Sequence, residues 1–532
     1  MLLLWLACAP EPADPDAVTA LWVEPAELQV VTGPDGVAPI AFTAIGDTQR
    51  AQDIPLETVS WSLSNQSAGE IDALGNFTPS TLNGGVTWVL AKLDGVEGLA
   101  TVTVQYQEEV VLDPELDTSA LIAGQDTTNI QDFWLYPEDG VSLPRNTPAI
   151  RFNWADLGAV AYRLRLQSPV TDVSVYTRDL SWTADTESWQ NIAATNAGGQ
   201  VEVDLYAELA DGSIVRTESR TVQVNRMGGR GSILYWSTAV GGVLEVPFGE
   251  LNPSDYLSTE STGRCVGCHV VSSKGDIAFT WDGGNGALGV KDAQTLEDRE
   301  GSESVIANFK TWSPDGGRLL GTYAGALMLL NAKGELLHEV PMDQSVTHPD
   351  WSPDGEFVAV ILTGGHDNDW TFSGSSELAT IRHLGDGIFD NPKVIFTPPD
   401  GYKAYYPSYS PDGDWIAFNI STGDAYDDPD AELWVIDSKG KHDAIRLDAA
   451  NQVGELTNSW SRWGPLPDDD ILWLTFSSKR AYGDVSVDIP QVWVSAFDPE
   501  EARQNKDPSK PAFWLPGQDP AQGNHIPEWV QW

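Results

Sequence analysis

The sequence predicts an all-β protein: two N-terminal β-sandwich domains over residues 18–107 and 108–229, followed by a six-bladed β-propeller over residues 230–532. Three observations carry this. Short apolar runs alternate with Gly, Pro, Asn and Asp turns about every ten residues through the first part of the chain. A Ser-Pro-Asp-Gly turn then recurs, each copy followed by an alternating apolar strand. A chain of 532 residues is also too long for a single core.

Residues 1–17 precede the sandwiches as a signal remnant and tether. Leu2-Leu3-Leu4-Trp5-Leu6-Ala7 and then Cys8 give a short apolar run, a small residue and a cysteine. This resembles the end of a bacterial lipoprotein signal. The resemblance implies an exported protein whose lipidated Cys8 anchors it to the outer membrane, facing the periplasm or the cell surface. The run is short and lacks a basic stretch before it, which points to a true start further upstream. Residues 9–16, rich in Pro, Ala and Asp, read as a disordered tether, and no other segment approaches the length of a transmembrane helix.

In the first sandwich, Trp22-Val23-Glu24-Pro25, Val59-Ser60-Trp61-Ser62, the run from Gly69 to Pro79 and Gly98-Leu99-Ala100-Thr101-Val102 resemble the bacterial Ig-like group 2 domain. Such domains serve as spacers or adhesive modules. The second, with Ile150-Arg151-Phe152-Asn153-Trp154, Tyr162-Arg163-Leu164-Arg165-Leu166 and Thr221-Val222-Gln223-Val224, is similar to a fibronectin type III module. Trp154 and the alternating strand at Tyr162 are its main cues, and the tryptophans of both sandwiches are expected in the core rather than on a ligand platform.

The propeller is read from its repeats. Trp312-Ser313-Pro314-Asp315-Gly316, Trp351-Ser352-Pro353-Asp354-Gly355 and Tyr409-Ser410-Pro411-Asp412-Gly413 are strand-joining turns, with Pro setting φ and Gly taking the tight position. Degenerate copies begin at Trp463 and at Val271. The turn glycines at 275, 316, 355 and 413 are separated by 41, 39 and 58 residues, intervals that suit four-stranded blades with variable loops. These units resemble the PD40 repeats of TolB-type propellers. Pro527-Glu528-Trp529-Val530-Gln531-Trp532 is a first strand without its turn, whereas Ser232-Ile233-Leu234-Tyr235-Trp236 and Val243-Leu244-Glu245-Val246-Pro247 are later strands without a first. The two ends are therefore expected to close the sixth blade together, which removes an exposed sheet edge.

Cys265-Val266-Gly267-Cys268-His269 is the pattern of c-type haem attachment. Two thiols three positions apart form thioethers to the haem vinyl groups, and the histidine that follows is an axial ligand of the iron. One covalent haem c on Cys265 and Cys268, with His269 as the proximal ligand, is the expected cofactor. The alternative for the pair is a haem-free disulfide or dithiol; a thioredoxin-like reading needs a βαβ context that this sequence lacks. With Cys8 assigned to lipid, all three cysteines of the chain are accounted for. Aligning the turns sets His269 level with Pro349, Pro407 and Pro527, at the start of an innermost strand, so the haem is expected at one mouth of the central channel. His525, two residues before Pro527 on the neighbouring blade, is the first choice for the distal ligand; His348, Met227 and Met342 are further choices, and an open site is the remaining one.

Formal net charge is −48, from 78 acidic and 30 basic residues spread along the chain. This argues against nucleic acid or an anionic membrane surface as a partner, because phosphate binding needs a basic stripe, and leaves the lipid anchor as the only membrane link. His366-Asp367-Asn368-Asp369 and Asp424-Ala425-Tyr426-Asp427-Asp428-Pro429-Asp430 are oxygen-rich enough for calcium, yet neither matches an EF-hand, and solvated loops are the plainer reading. No hydrolase elbow, zincin motif or phosphate loop occurs. The sequence thus favours an electron-transfer or redox-linked binding protein with a protein partner in the envelope. A non-redox scaffold and small-molecule chemistry at the haem are the alternatives.

Overall fold

The computed structural model describes residues 14–123, 128–130, 132–299, 305–364, 370, 374–465, 470–485 and 488–531. Cys8 and the stretch His366-Asp367-Asn368-Asp369 lie outside them. The protein is all-β, with two sandwiches followed by a six-bladed propeller. No helix among the described residues is long and apolar enough to cross a membrane.

The first sandwich closes around Val23, Phe42, Phe77, Val89 and Val102. Its strand Val96–Val111 is 16 residues long and does not stop at the expected boundary between residues 107 and 108. It pairs antiparallel with Gly85–Leu93 as far as Val104, then parallel with Thr171–Thr177 of the second sandwich from Tyr106 onward. The two sandwiches therefore share a strand, with no flexible linker at that point.

In the second sandwich Trp154 and Tyr162 are core, 0% and 1% exposed, with ring centroids 5.5 Å apart. The helix Thr186–Thr195 is hidden from a strand-based reading. Asp185 caps it, accepting from the Ser188 backbone N–H at 2.9 Å, and Glu187 sits in the first turn, where negative charge favours the helix.

This sandwich is fused to the propeller by a continuous apolar core running from Trp154 and Val222 to Trp493 and Trp514. The Trp514 backbone N–H donates to the buried Tyr136 hydroxyl at 3.1 Å. Tyr136 also meets the rings of Tyr482 and Trp493 edge-on, at 5.0 and 6.3 Å.

Each blade is an antiparallel sheet ordered from the axis outward. Blade one comprises Val266–Val271, Asp276–Trp281 and Leu288–Asp292; the innermost strands of blades two to five are Phe309–Trp312, Ser345–Trp351, Lys403–Tyr409 and Ser459–Trp463. Blade six takes its innermost strand, Asn524–Val530, from the C-terminal end and pairs it with Ser232–Ser237, followed by Gly242–Pro247 and Ser254–Leu257. This is the closure anticipated from the two incomplete strand sets.

The repeated turns share one construction. Ser352 Oγ donates to Asp354 at 2.6 Å and accepts from the Phe357 N–H at 2.9 Å, and the Ser313 hydroxyl does the same with Asp315 and Arg318. Gly316, Gly355 and Gly413 sit at φ of 68°, 74° and 75°, where a Cβ is disfavoured.

Candidate functional site

Five of the six innermost strands carry a residue with left-handed backbone at the same height: Cys268, His348, Tyr406, Trp460 and Ile526, at φ of 32°, 49°, 50°, 57° and 54°. Each coincides with a shift in strand register. The residues that follow are His269, Pro349, Pro407, Ser461 and Pro527, so the structure sets His269 level with the prolines that the turn spacing aligns. In blade two, which lacks the bulge, Phe309 and Lys310 occupy these two heights.

The bulge matters for the cysteines. In a regular strand, residues three apart point to opposite faces. An extra residue between Gly267 and Val270 re-aims the chain, and Cys265 and Cys268 both line one cavity of about 500 Å³ at the channel mouth. Trp236, Trp370, Tyr426 and Trp460 wall it, and His525 faces into it. Glycine is required beneath Trp370, since a Cβ on Gly284 would come within 2.1 Å of its ring.

His525 lies edge-on to Trp236 at 5.0 Å and to Tyr426 at 6.4 Å. Burial lowers its pKa to about 4, so its imidazole is neutral, the form that binds metals. His269 is not on this cavity wall. It is 6% exposed and borders a smaller chamber one step down the axis. Burial, then the charges of Lys310 and Arg462, lower its pKa to about 3, while the Leu234 carbonyl pulls the other way. His525 also contributes to that lowering, which places the two histidines within electrostatic reach of each other.

Both thiols are free. Burial raises the pKa of each, with Lys310 partly opposing this at Cys268. The raised pKa lowers the thiolate fraction through which thiol–disulfide exchange proceeds. Two free thiols, an aromatic cavity of this size and the neutral His525 imidazole suit a covalently held haem, whereas His269, the ligand that the motif specifies, borders the separate chamber beneath.

The remaining ligand choices lie elsewhere. His348 is in the channel floor, where its Nδ1 accepts from the Tyr406 N–H at 3.4 Å. Met342 packs against the core between blades two and three, and Met227, in the linker before the propeller, is not among the residues lining the cavity. In the Asp424–Asp430 region, Lys403 pairs with Asp424 at 3.0 Å, Lys479 with Asp427 at 2.8 Å, and Thr422 donates to Asp430 at 2.6 Å. Among the described residues no group of three or more His, Cys, Asp or Glu is arranged to hold a metal ion.

Below the cavity the aromatic rings close the channel: Tyr406 stacks on Trp460 at 4.0 Å, and Phe309 contacts His348 at 4.1 Å. Beyond this floor a second cavity of about 310 Å³ opens at the turn side, where Asp350, Arg462 and Glu528 converge. Arg462 pairs with Glu528 at 3.3 Å, and Asp350 accepts from the Tyr409 N–H at 2.7 Å. Sequence reasoning passed over these axial charges and the aromatic walls. The available signal was register: Asp350, Arg462 and Glu528 each stand immediately before the tryptophan near the end of an innermost strand, Trp351, Trp463 and Trp529.

No family model matches the chain, and no curated protein matches it. Solved structures do. A protein described as TolB from Agrobacterium tumefaciens is 18% identical, over 56% of this chain and 98% of that one, with a TM-score of 0.32. Hydrazine synthase from Kuenenia stuttgartiensis is 16% identical over 47% and 66%, with a TM-score of 0.32. Puromycin hydrolase is 17% identical over 57% and 44%, with a TM-score of 0.29. The class assigned to this chain, a propeller carried by two sandwiches, rests on its own sheets.

Proposed function

We propose that this chain is a monohaem c-type protein of the cell envelope, in which a propeller mouth presents a haem for electron transfer to a protein partner. The observation that carries the reading is that the bulge at Cys268 brings both thiols onto one aromatic cavity together with His525. Cys265 and Cys268 would hold the group through thioethers and His525, on the same wall, would ligate its iron; His269, the ligand that the motif specifies, borders the chamber beneath and would have to turn toward this cavity to ligate. The bound group supplies one-electron redox chemistry. The chain's own residues do the rest: the indoles of Trp236, Trp370 and Trp460 and the phenol of Tyr426 wall the group, and the His525 imidazole is neutral, the form that ligates. The envelope address follows from the resemblance at Cys8 and from haem c attachment occurring outside the cytoplasm.

A non-redox scaffold is the second reading, and the polar cavity around Asp350, Arg462 and Glu528 favours it, because that site makes no use of the cysteines.

The test is a reduced-minus-oxidised visible spectrum of protein exported in a host that matures haem c. A c-type α-band that disappears in Cys265→Ala/Cys268→Ala supports the reading. Absence of the band in the parent, or its survival in the double variant, overturns it.

A further inference from the structure

A cleft of about 550 Å³ lies where the two sandwiches meet, a size that suits a small-molecule site, and it shares no lining residue with the cysteine cavity. Its floor is one face of the sheet: Tyr106, Glu108 and Val110 alternate along the shared strand, and Thr171 and Val173 lie beside the first two in parallel register. One wall is the helix Thr186–Thr195, which presents Ser188, Asn191, Ile192 and Thr195 at helical spacing. Leu82 and Gly84 add the contribution of the first sandwich. Gly84 is pressed so closely on the second sandwich that a Cβ there would come within 1.9 Å of the Val170 carbonyl oxygen, so the cleft is built into the junction.

Trp182 lines this cleft half-buried, and Trp88 of the first sandwich is 54% exposed, so neither takes the core position expected of the sandwich tryptophans. One face of the Trp182 indole rests on the core, where Phe152 stacks against it at 6.0 Å and 26°. Near it on the lining are the Glu108 carboxylate, which accepts from the Tyr106 hydroxyl at 2.9 Å, the Asn191 amide and the hydroxyls of Thr183 and Thr195. None of the lining residues is Lys, Arg or His, and the chain carries a net charge of −48, which argues against an anionic ligand. An organic cation is disfavoured as well, because two carboxylates of the lining already have donors: Glu108 has the Tyr106 hydroxyl, and Asp185 has the Ser188 N–H and hydroxyl at 2.9 and 2.6 Å. We propose that the cleft binds a neutral saccharide, whose C–H face stacks on Trp182 while its hydroxyls donate to Glu108 and exchange hydrogen bonds with Asn191. This site goes beyond the haem reading and does not rest on it.

Titration calorimetry on the full chain tests this with cellotetraose, maltotetraose and chitotetraose, and with spermidine as the cationic control. At least one tetrasaccharide is expected to bind the parent. Its affinity should fall about tenfold in Trp182→Ala, the loss of one aromatic stacking contact. It should disappear in Asn191→Arg, which fills the cleft from the helix and leaves the Trp182–Phe152 stack in place. Trp88→Ala and Cys265→Ala/Cys268→Ala should bind as the parent does, and thermal midpoints establish that each variant is folded. Absence of binding for all three tetrasaccharides, or equal affinity in Asn191→Arg, would overturn the proposal. So would spermidine binding that depends on Trp182 while no saccharide binds. Saccharide binding with this pattern in a parent that attaches no haem supports the cleft and sinks the haem reading alone.

Discussion

Cys265 and Cys268 are three positions apart in an extended segment, yet both thiols face one cavity, because Cys268 adopts a left-handed backbone within a strand bulge. On a helix, residues at that spacing share a face. Here a propeller strand achieves the same presentation by breaking its own alternation. The bulge belongs to the fold, since four other blades carry it with no cysteine present.

His525 is the imidazole on the cavity wall, so under the proposed haem reading its removal should open the iron. In His525→Phe the ferrous protein is expected to bind carbon monoxide rapidly, while the parent binds it slowly. Stopped-flow absorbance checks this. Rapid binding to the parent would show that His525 does not ligate.

The axial carboxyls predict a pH dependence of stability. Burial raises Glu528 from 4.5 to about 7 and Asp350 from 3.8 to about 6, with Arg462 opposing both shifts. A carboxyl with a raised folded pKa binds its proton more tightly when folded. Its contribution is therefore complete below the unfolded pKa and is lost as pH rises through the folded one. Glu528 and Asp350 therefore contribute a fall in stability between about pH 4 and pH 7, of which Glu528 accounts for about 3 kcal/mol at 1.36 kcal/mol per unit, while the lowered pKa values of His269 and His525 contribute a rise over much of the same range. Glu528→Gln should remove its share, so that stability rises more with pH in the variant than in the parent, read from urea midpoints across that range. A slope identical to the parent's would count against the assigned burial.

Tyr136 ties the second sandwich to blade five. Tyr136→Ala removes a buried ring packed on Tyr482 and Trp493 and should destabilise the interface by about 3–5 kcal/mol, whereas Tyr136→Phe loses only the bond from the Trp514 N–H, about 1 kcal/mol. Calorimetry should show coincident unfolding of sandwich and propeller in the parent and separated transitions in Tyr136→Ala. Separated transitions in the parent would mean that the two units are independent.

Much of this architecture was legible because propeller blades repeat a local device. The Ser-Pro-Asp-Gly turns announce their hairpins through side chains only residues apart, and the unmatched strand at Pro527 could complete only a blade begun near Ser232. What stayed hidden depends on contacts distant in sequence. The strand Val96–Val111 runs through the expected domain boundary because its second half finds a partner some 65 residues on, which no local composition marks. His269 illustrates the same limit at the site: alignment gave its height on the channel, but the bulge turns Cys268 toward the cavity and leaves His269 on the chamber beneath. Trp370 and Tyr426 reach the mouth from loops, whose paths carry no periodicity.

The central claim is a haem covalently held at this mouth, and the intact mass of the protein after export in a haem c-maturing host tests it most directly. Under denaturing conditions the parent is predicted to weigh one haem more than its polypeptide, Cys265→Ala and Cys268→Ala to carry less of it, and the double variant none. A parent with the bare polypeptide mass and two reactive thiols, or one two hydrogens lighter with a Cys265–Cys268 disulfide, would contradict the account.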